Sequence, residues 1–512
     1  MNRETDRAIH YHDRTKHSYW SIRTTPHYLD WDNKPAPFKV YPKLDGIPLP
    51  RELTPAGVSA LKALSNGAAT DTSHQVSLDS LASLLFYSAG VTKRRSLHGG
   101  TVYFRAAACA GALYPVEVYL VCGELNGLQA GVYHFNPGDF STRKLREGDY
   151  RGALAQAAVD YEAIAAAPVT LVYTAISWRS SWKYRDRAYR YHYWDCGTIV
   201  ANAITMARAH GLPSELVMGF IDSDVNRLIG VDGDGEFALG LLPLGQPDAP
   251  GNAEKPSAVG LLELETIPLS ECEVEYPLIK EMHCASSLAT AAEVIEWRTA
   301  PPGSNKTSPG DFEPLAVVPV DELGEPESPG EAIEKVIERR ASTRRFARKP
   351  ISLAELSTIV ESSTGPVAAD VLLKTNSVYL IANEVDGLEP GAYYINKDTR
   401  PLEMLKRGSF RNEAAYLTLG QDLGGDAAVT FFLMADLDRE LEVFGNRGYR
   451  LAQMESGIIG GRMYLAAYAL GRGATGLTFY DDDVTEFFSP HAAGKSCMLV
   501  VSVGVAGKRP IH

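Results

Sequence analysis

The strongest hydrophobic patterns along the chain predict buried strands and long buried helices. Val116–Cys122 and Val378–Ala382 are short runs of β-branched and aromatic residues, bounded by Gly or charged residues, which predicts buried strands. Val200–Ala209 and Ile458–Ala469 carry apolar residues around most of a helical circumference, which predicts long buried helices. Each of these helices is followed closely by a glycine, a common stop signal.

Shorter amphipathic segments and one proline-rich stretch complete the pattern. Ser77–Phe86 and Ser352–Val360 each open with a serine, a good N-cap residue, and predict shorter amphipathic helices. Leu278–Trp297 has helical character, whereas residues 301–330 contain seven prolines and are typical of a linker. The chain is therefore expected to have two α+β halves joined by a helix and a linker.

The two halves share an internal repeat with a constant spacing. Gly127–Tyr133 recurs 260 residues later as Gly387–Tyr393, and Arg187–Arg190 recurs as Arg447–Arg450 at the same spacing. A spacing that is held over this length on Gly, Tyr and Arg indicates duplication of one structural unit. Two more pairs follow the same spacing, Gly197 with Gly457 and Gly211 with Gly471.

The repeats differ at one place, and the difference is complementary. Ser77 matches Ser352 at a spacing of 275, so the first half is longer before its first matched strand. The first half has a loop rich in small residues, Phe104–Pro115, and small residues let backbone amides approach a planar ligand. The second half instead has two basic clusters, in Arg339–Phe346 and in Gly504–Arg509.

Composition and charge exclude several classes of protein. Among the 512 residues 45% are apolar and 22% charged, which excludes wholesale disorder and coiled coils. The net charge of −13 disfavours binding to nucleic acid or to an anionic membrane face. No apolar stretch approaches the roughly 20 residues that span a bilayer, and the charged start does not resemble a secretory signal. Six cysteines without a CxxC pair indicate reduced thiols, so we expect a cytoplasmic protein.

Metal and dinucleotide sites are not indicated. His10, His12 and His17 lack an acidic or cysteine partner at ligand spacing, so a docking segment is the favoured interpretation. Asp481–Asp483 open a predicted helix, where acidic residues usually cap the helix and complement its dipole. No GxGxxG motif opens a βαβ unit, so a Rossmann NAD domain is not predicted.

Three motifs resemble the nitroreductase superfamily, and specifically its SagB/ThcOx-type flavin-dependent dehydrogenases. Arg340-Ala-Ser342-Thr-Arg344 is similar to the phosphate-binding start of the superfamily. Arg105–Pro115 resembles the PSAGALYP loop of the subfamily, and Trp182–Tyr191 resembles its Lys-Tyr segment. The resemblance implies two nitroreductase-like, FMN-dependent domains in tandem. Since such proteins are usually homodimers with FMN at the interface, the tandem would form an intramolecular pseudo-dimer.

This resemblance implies a division of the chain into four parts. Residues 1–50 form an N-terminal extension, and residues 51–250 form domain 1, with the ring-contacting loop and the Lys-Tyr motif. Residues 251–334 form the helix and proline-rich linker, and residues 335–512 form domain 2, with the phosphate-binding motif.

The resemblance and the side-chain chemistry together predict an FMN site shared by the halves. A doubly charged phosphate favours guanidinium and hydroxyl donors, and an isoalloxazine ring favours backbone N–H donors along its polar edge. The predicted cofactor-binding residues are Arg340, Ser342, Arg344, Lys508 and Arg509 for the phosphate, and Arg105, Ala108, Cys109, Ala110, Gly111 and Leu113 for the ring. The competing interpretations are a solvated basic helix start for the cluster and a tightly packed turn for the loop. Cys109 replaces a serine of the family loop and is expected to be an inert thiol rather than a redox-active one.

By the same resemblance, Lys183 and Tyr184 are the predicted catalytic pair that handles protons. Partial burial would lower the pKa of the lysine, and a tyrosine can relay protons. The alternative is an ion pair of Lys183 with Asp186 and simple packing of Tyr184. Their counterparts 260 residues later, Val443 and Phe444, cannot handle protons. One complete FMN site per chain is therefore expected.

The function that this resemblance implies is FMN-dependent oxidation, such as hydride transfer from a peptide azoline to flavin. The substrate would be a peptide or small molecule, and a peptide-modifying enzyme complex is a candidate partner. Two alternatives stay open: an NAD(P)H-dependent nitro- or quinone reductase, and a flavin-free scaffold in a peptide-modification complex.

Overall fold

The fold was analysed in a computed structural model of the 512-residue chain. The residues that the structure describes are 2–24, 27–65, 75–97, 100–246, 259–301, 313–319, 330–396 and 401–507.

Seventeen strands are present in the described part of the chain. They are β1 (Gly46–Pro48), β2 (Val91–Leu97), β3 (Gly100–Arg105), β4 (Val116–Cys122), β5 (Gly131–Asn136), β6 (Ser141–Glu147), β7 (Val169–Ile176), β8 (Glu236–Leu244), β9 (Val317–Pro319), β10 (Ile351–Ser352), β11 (Asn376–Ala382), β12 (Val385–Asp386), β13 (Gly391–Ile395), β14 (Pro401–Arg407), β15 (Val429–Ala435), β16 (Gly473–Leu477) and β17 (Ser496–Gly504).

Eighteen α-helices accompany these strands in the described residues. They are α1 (Asp6–Arg14), α2 (Tyr19–Thr24), α3 (Ala60–Leu64), α4 (Leu78–Ala89), α5 (Arg151–Ala157), α6 (Glu162–Ala166), α7 (Ser177–Tyr184), α8 (Ala188–Ala209), α9 (Asp222–Ile229), α10 (Pro277–Ala285), α11 (Ala291–Arg298), α12 (Ile333–Arg339), α13 (Leu353–Thr364), α14 (Arg411–Leu417), α15 (Asp422–Asp426), α16 (Leu437–Phe444), α17 (Arg447–Ala469) and α18 (Asp481–Phe488).

Each half is built around one antiparallel sheet, so the predicted α+β tandem is confirmed. The first sheet has the strand order β1-β6-β5-β4-β7-β8, and the second has β16-β17-β15-β11-β13-β14-β9. The inner strands β4 and β11 hold corresponding positions and pair on both sides. All seven residues of β4 are buried, which explains why its sequence is mostly apolar, and its one charged residue, Glu117, is paired with Arg179 and His134.

The central helices α8 and α17 begin earlier than the sequence predicts. Apolar patterning indicated starts at Val200 and Ile458, but the helices begin at Ala188 and Arg447. The missed turns are rich in polar and aromatic residues, yet nearly all of them are buried because the two halves pack against each other here. Hydrophobic periodicity alone cannot detect a buried polar helix face.

The two central helices cross at a repeated glycine pair. A Cβ atom at Gly197 would lie 2.7 Å from the Cα of Gly457, and a Cβ at Gly457 would lie 2.5 Å from the carbonyl oxygen of Trp194. No side chain fits at this distance, so the backbones touch directly. The repeat retains glycine at both positions because they meet in the interface between the halves.

Buried ion pairs also join the halves, and they explain the repeated Arg-x-Tyr-Arg motif. Arg187 and Arg190 reach Asp481 of the second half at 3.0 and 2.7 Å. In the reciprocal arrangement, Arg447 and Arg450 both reach Asp222 of the first half at 2.7 Å. All of these side chains are almost completely buried. Asp481 is therefore part of an interface ion pair, a role that the sequence analysis did not predict.

The extra length of the first half is a β-hairpin. Strands β2 and β3 pair antiparallel over Val91–Arg105. In the second half, α13 is followed by residues 366–375, which contain no strand in the described structure. The hairpin therefore accounts for the change of spacing between the repeats.

The N-terminal extension and the linker helices contact both halves. In the extension, the amide of Ala8 donates to Asn446, and the hydroxyl of Tyr11 donates to the carbonyl oxygen of Asp186 at 2.5 Å. His12 is buried with its ring against Tyr449, so its environment is that of a packed core residue. Within the described residues, no helix is both long and apolar enough to cross a membrane.

Candidate functional site

A cavity of about 600 Å³ lies between the two halves and is lined by residues of both. The first half contributes the β2–β3 hairpin, the small-residue loop and the facing parts of α7 and α8. The second half contributes the segment before β10 together with parts of α17, β16 and β17. Charged and polar lining residues include Lys93, Arg95, Arg105, Lys183, Tyr184, Asp195, Arg340, Ser342, Arg344, Gln421 and Tyr464.

The basic cluster lines one side of this cavity. Arg340 donates through Nε and Nη2 to the carbonyl oxygens of Ala106 and Arg105 at 2.8–3.0 Å, which ties the cluster to the loop of the other half. The Ser342 hydroxyl lies 3.2 Å from the Tyr464 hydroxyl, which also accepts a hydrogen bond from the amide of Gly476. Lys508 and Arg509, the two remaining predicted phosphate-binding residues, lie outside the described residues.

The small-residue loop lines the cavity through Ala108, Cys109, Ala110 and Gly111. Leu113 is not among the lining residues. Its side chain joins a cluster with two tryptophans of α7, and this packing holds the loop against that helix.

Gly111 is required by both its backbone conformation and its neighbours. Its φ angle is +63°, in the left-handed region. A Cβ atom there would lie 2.8 Å from the hydroxyl of Tyr184 and 3.3 Å from Nζ of Lys183. The glycine therefore brings the loop into direct contact with the predicted catalytic pair.

Gly111→Ala is expected to lower the free energy of unfolding by about 2–4 kcal/mol, because about 1 kcal/mol of backbone strain adds to the overlap with Tyr184. Urea unfolding of the full chain measures this change. Gly471 is the matched control, since its φ is +71° and a Cβ there would meet nothing within 4 Å. Equal losses for Gly111→Ala and Gly471→Ala would show that the contact is unimportant.

Arg105 borders the cavity, but its guanidinium is largely used inside the protein. It donates to the carbonyl oxygens of Val116 at 3.2 Å and Pro37 at 2.8 Å, while its Nε has no partner among the described residues. The Arg105 carbonyl oxygen in turn accepts from Arg340. Arg105 therefore connects the extension, the loop and the basic cluster.

Lys183 and Tyr184 lie at the end of α7, beside the loop. Lys183 is half-buried, and burial together with the nearby Arg344 and Lys34 lowers its pKa. No ion pair joins Lys183 to Asp186 among the described residues, so the ion-pair part of the alternative interpretation is not supported. A lowered pKa makes the neutral, proton-accepting form of this lysine more accessible than that of a solvent-exposed lysine.

Tyr184 is held flat against Tyr191, with ring centroids 4.1 Å apart and an interplanar angle of 20°. Burial raises the pKa of Tyr184 well above its usual value, so its hydroxyl stays protonated and can donate a hydrogen bond. The pair thus combines a potential proton acceptor with a hydrogen-bond donor.

Asp195 is a site residue that the sequence analysis missed. It lies on α8, lines the cavity, and accepts hydrogen bonds from the Ala110 amide at 2.9 Å and the Cys109 thiol at 3.0 Å. Burial raises the pKa of Asp195 to about 7. Burial and the Asp195 carboxylate raise the pKa of Cys109, which is consistent with the expected inert thiol. The one signal in the sequence that could have identified Asp195 is that its repeat counterpart, Glu455, is also acidic.

Two consecutive backbone amides beside the cavity have no hydrogen-bond partner among the described residues. The N–H groups of Thr478 and Phe479 donate to no described residue, although Phe479 is fully buried. Their counterparts in the first half, Met218 and Gly219, donate to the carboxylate of Asp370 at 2.9 and 2.7 Å. The equivalent amides of the second half have no such carboxylate partner among the described residues, and Thr478 lines the cavity.

The pseudo-symmetric counterpart of the cavity is filled by protein. Trp297 of α11 is 1% exposed and packs against Phe444, the counterpart of Tyr184, at a centroid distance of 5.6 Å. A Cβ at Gly219 would lie 2.9 Å from the Trp297 ring and 2.9 Å from the Asp370 carboxylate. Arg298 reaches the Gly219 carbonyl oxygen at 2.7 Å. Among the described residues, a helix of the linker and Asp370 therefore occupy the position where a second site would lie.

Comparison with known proteins connects this arrangement with one family. The family model of the nitroreductase family matches residues 72–246 and 337–505. A crystal structure from Anabaena variabilis ATCC 29413, assigned as a nitroreductase, is 28% identical, covers 98% of this chain and 99% of its own, and has a TM-score of 0.77.

Three relatives match part of the chain. A protein of Methanocaldococcus jannaschii, also assigned as a nitroreductase, is 30% identical over 34% of this chain and 83% of its own length. The trifolitoxin-processing protein TfxB of Rhizobium leguminosarum bv. trifolii is 29% identical over 31% of this chain, and the microcin B17-processing protein McbC of Escherichia coli is 31% identical over 24%. The matched stretches span 44% and 47% of these two processing proteins.

Proposed function

This chain belongs to the nitroreductase family, and from that premise we propose that it is an FMN-dependent oxidoreductase of SagB/ThcOx type with one composite FMN site per chain. Its substrate would be an azoline in a peptide or a comparable oxidisable centre. The observation that carries this proposal is that the basic cluster of one half and the loop and Lys-Tyr pair of the other line a single cavity. The similarity to the trifolitoxin-processing protein TfxB and the microcin B17-processing protein McbC supports the substrate class.

The lining residues fit FMN in size and chemistry. A cavity of about 600 Å³ is in the range of small-ligand sites. Arg340, Ser342 and Arg344 would hold the phosphate by charge-assisted hydrogen bonds. The loop at Ala108–Gly111 would lie against the ring, and the unpartnered amides of Thr478 and Phe479 would donate to its polar edge.

The residues beside the ring suit an oxidation that removes a hydride and a proton from adjacent substrate atoms. Bound FMN supplies the hydride acceptor. Lys183, with its lowered pKa, would accept the proton, and Tyr184 would orient the substrate by donating a hydrogen bond. The surrounding loop and aromatic side chains would exclude water from the reacting atoms.

One site per chain is supported by what fills the second position. In the second half, the counterparts of the catalytic pair are Val443 and Phe444, and neither can transfer a proton. Trp297 fills the space that a second flavin ring would need. Asp370 accepts hydrogen bonds from the two backbone amides that this ring would need.

FMN titration of refolded apoprotein tests the site. We expect saturation near one FMN per chain, and Arg340→Ala should weaken FMN binding roughly ten- to a hundredfold, because a hydrogen bond to a charged group contributes about 1.5–3 kcal/mol. Arg94→Ala is the control, since Arg94 lies on the hairpin but outside the cavity. Saturation near two flavins, or unchanged affinity in Arg340→Ala with its fold verified by circular dichroism, would contradict the proposal.

Activity assays separate the proposal from its alternatives. Azoline-containing peptide should reduce the bound flavin under anaerobic conditions, and oxygen should then reoxidise it. The similarity to two proteins assigned as nitroreductases favours a second candidate, an NAD(P)H-dependent nitro- or quinone reductase. Bleaching by NADPH followed by fast reoxidation with a nitroarene, with no response to the peptide, would select that candidate. A protein that stays colourless after FMN addition would select the scaffold interpretation.

A further inference from the structure

Asp195 is the one acidic side chain among the described residues that line the cavity. It is 4% exposed, and its two carboxyl oxygens are used separately. One oxygen accepts from the Ala110 amide and the other from the Cys109 thiol, so the carboxyl group holds two consecutive residues of the loop. The proposed reaction assigns no role to this residue.

We propose that Asp195 is a positioning residue: its carboxylate anchors the loop that would face the flavin ring and adds a negative charge beside the Lys183–Tyr184 pair. The proposal rests on the proposed function, since it specifies how this chain shapes the flavin pocket. Asp195 and Tyr184 interact electrostatically, and Tyr184 in turn contacts the loop at Gly111. Anchor, loop and catalytic pair therefore form one connected unit.

The ionisable groups around Asp195 leave its charge largely uncompensated. Cys109 and Arg105 line the same cavity from the loop side, Tyr184 from α7 and Tyr191 from the helix of Asp195, and Cys196 is the next residue of that helix. From the second half, Arg340, Arg344 and Tyr464 line the same cavity. No ion pair reaches Asp195 among the described residues. Because burial brings its pKa to about 7, the charge on the loop anchor changes across neutral pH.

The first test uses apoprotein and follows alkylation of Cys109 by iodoacetamide with peptide mass spectrometry. The Asp195 charge raises the pKa of Cys109, so Asp195→Asn should increase the thiolate fraction and speed alkylation. At pH 8, Cys109 should be alkylated severalfold faster in Asp195→Asn than in the wild type. The ratio of the two rates should fall towards one below pH 7, where Asp195 becomes protonated in the wild type. Asp195→Glu should stay close to wild type because it keeps the charge.

Glu455→Gln is the matched control. Glu455 is the repeat counterpart of Asp195, is also 4% exposed, and likewise holds a loop by accepting from Thr375 and the Asn376 amide. It does not line the cavity. Glu455→Gln should therefore leave Cys109 alkylation unchanged, although it removes a similar buried carboxylate.

The second test measures the reduction potential of bound FMN. Asp195→Asn should shift the potential to more positive values, and more so at pH 8 than at pH 6, because a nearby negative charge opposes electron uptake. Glu455→Gln should not shift it. The positioning role would be overturned if Asp195→Asn had the alkylation rate and the flavin reduction potential of the wild type. It would also be overturned if Glu455→Gln changed both quantities as much as Asp195→Asn does. If the wild-type protein binds no flavin, the proposed function fails, while the alkylation test still decides whether Asp195 anchors the loop.

Discussion

Lys183→Ala is expected to lower turnover of an azoline substrate by a factor of about 10²–10⁴, the usual contribution of a positioned proton acceptor. FMN should remain bound, because the donors proposed to hold it lie on other residues. Steady-state kinetics with flavin absorbance as a check on occupancy measure this effect. The loss should appear in kcat and kcat/KM together, as expected for an interaction needed in the transition state.

Two further variants distinguish proton transfer from simple charge. Lys183→Arg keeps the positive charge, but a guanidinium cannot act as a base near neutral pH, so it should be nearly as inactive as Lys183→Ala. Lys43→Ala is the surface control, because Lys43 is 78% exposed and pairs with Glu265.

Lysine must be neutral to accept a proton, so activity should rise with pH, and the lowered pKa of Lys183 should move this rise to a lower pH. Turnover of Lys183→Ala at the wild-type level would exclude the proposed role.

Asp481→Asn is expected to lower the free energy of unfolding by about 3–5 kcal/mol, because it leaves two buried guanidinium groups without their counter-charge. Arg187 and Arg190 both pair with this carboxylate, and these arginines hold the pKa of Asp481 well below its usual range against the opposing effect of burial. Urea unfolding monitored by circular dichroism measures the change.

The neighbouring residue provides a matched control for this prediction. Asp482 is 75% exposed and pairs with Lys16 at the surface, so Asp482→Asn should cost less than about 1 kcal/mol. Asp222→Asn removes the reciprocal ion pair and should resemble Asp481→Asn. At Asp222, burial opposes ionisation, but Arg447 and Arg450 outweigh it and lower the pKa to about 2. Similar small losses for all three variants would show that these pairs do not hold the halves together.

Much of the architecture is visible in the sequence because it depends on local patterns. The 260-residue spacing revealed the duplication, and the apolar runs located the central strands β4 and β11. From the difference between the repeats, the sequence predicts that the basic cluster and the small-residue loop contribute to one shared site. In the structure, Arg340 and Ala110 line the same cavity. The assignment of these residues to FMN stays a prediction.

Other features depend on packing between distant segments, which no local pattern records. Hydrophobic patterning does not detect the first turns of α8 and α17, because these turns contain arginines. The arginines are buried where they form ion pairs with the opposite half. Asp195 became a candidate only when the fold placed its carboxyl group under the loop, 85 residues away in sequence from Ala110. Trp297 ends a segment in which the sequence shows only helical character, yet its side chain fills the position of a second site. Residue types and spacings thus establish the repeat and its chemistry. Which of the two related positions is an open site is decided by burial and by the contacts between the halves, because burial and these contacts arise only after the chain has folded.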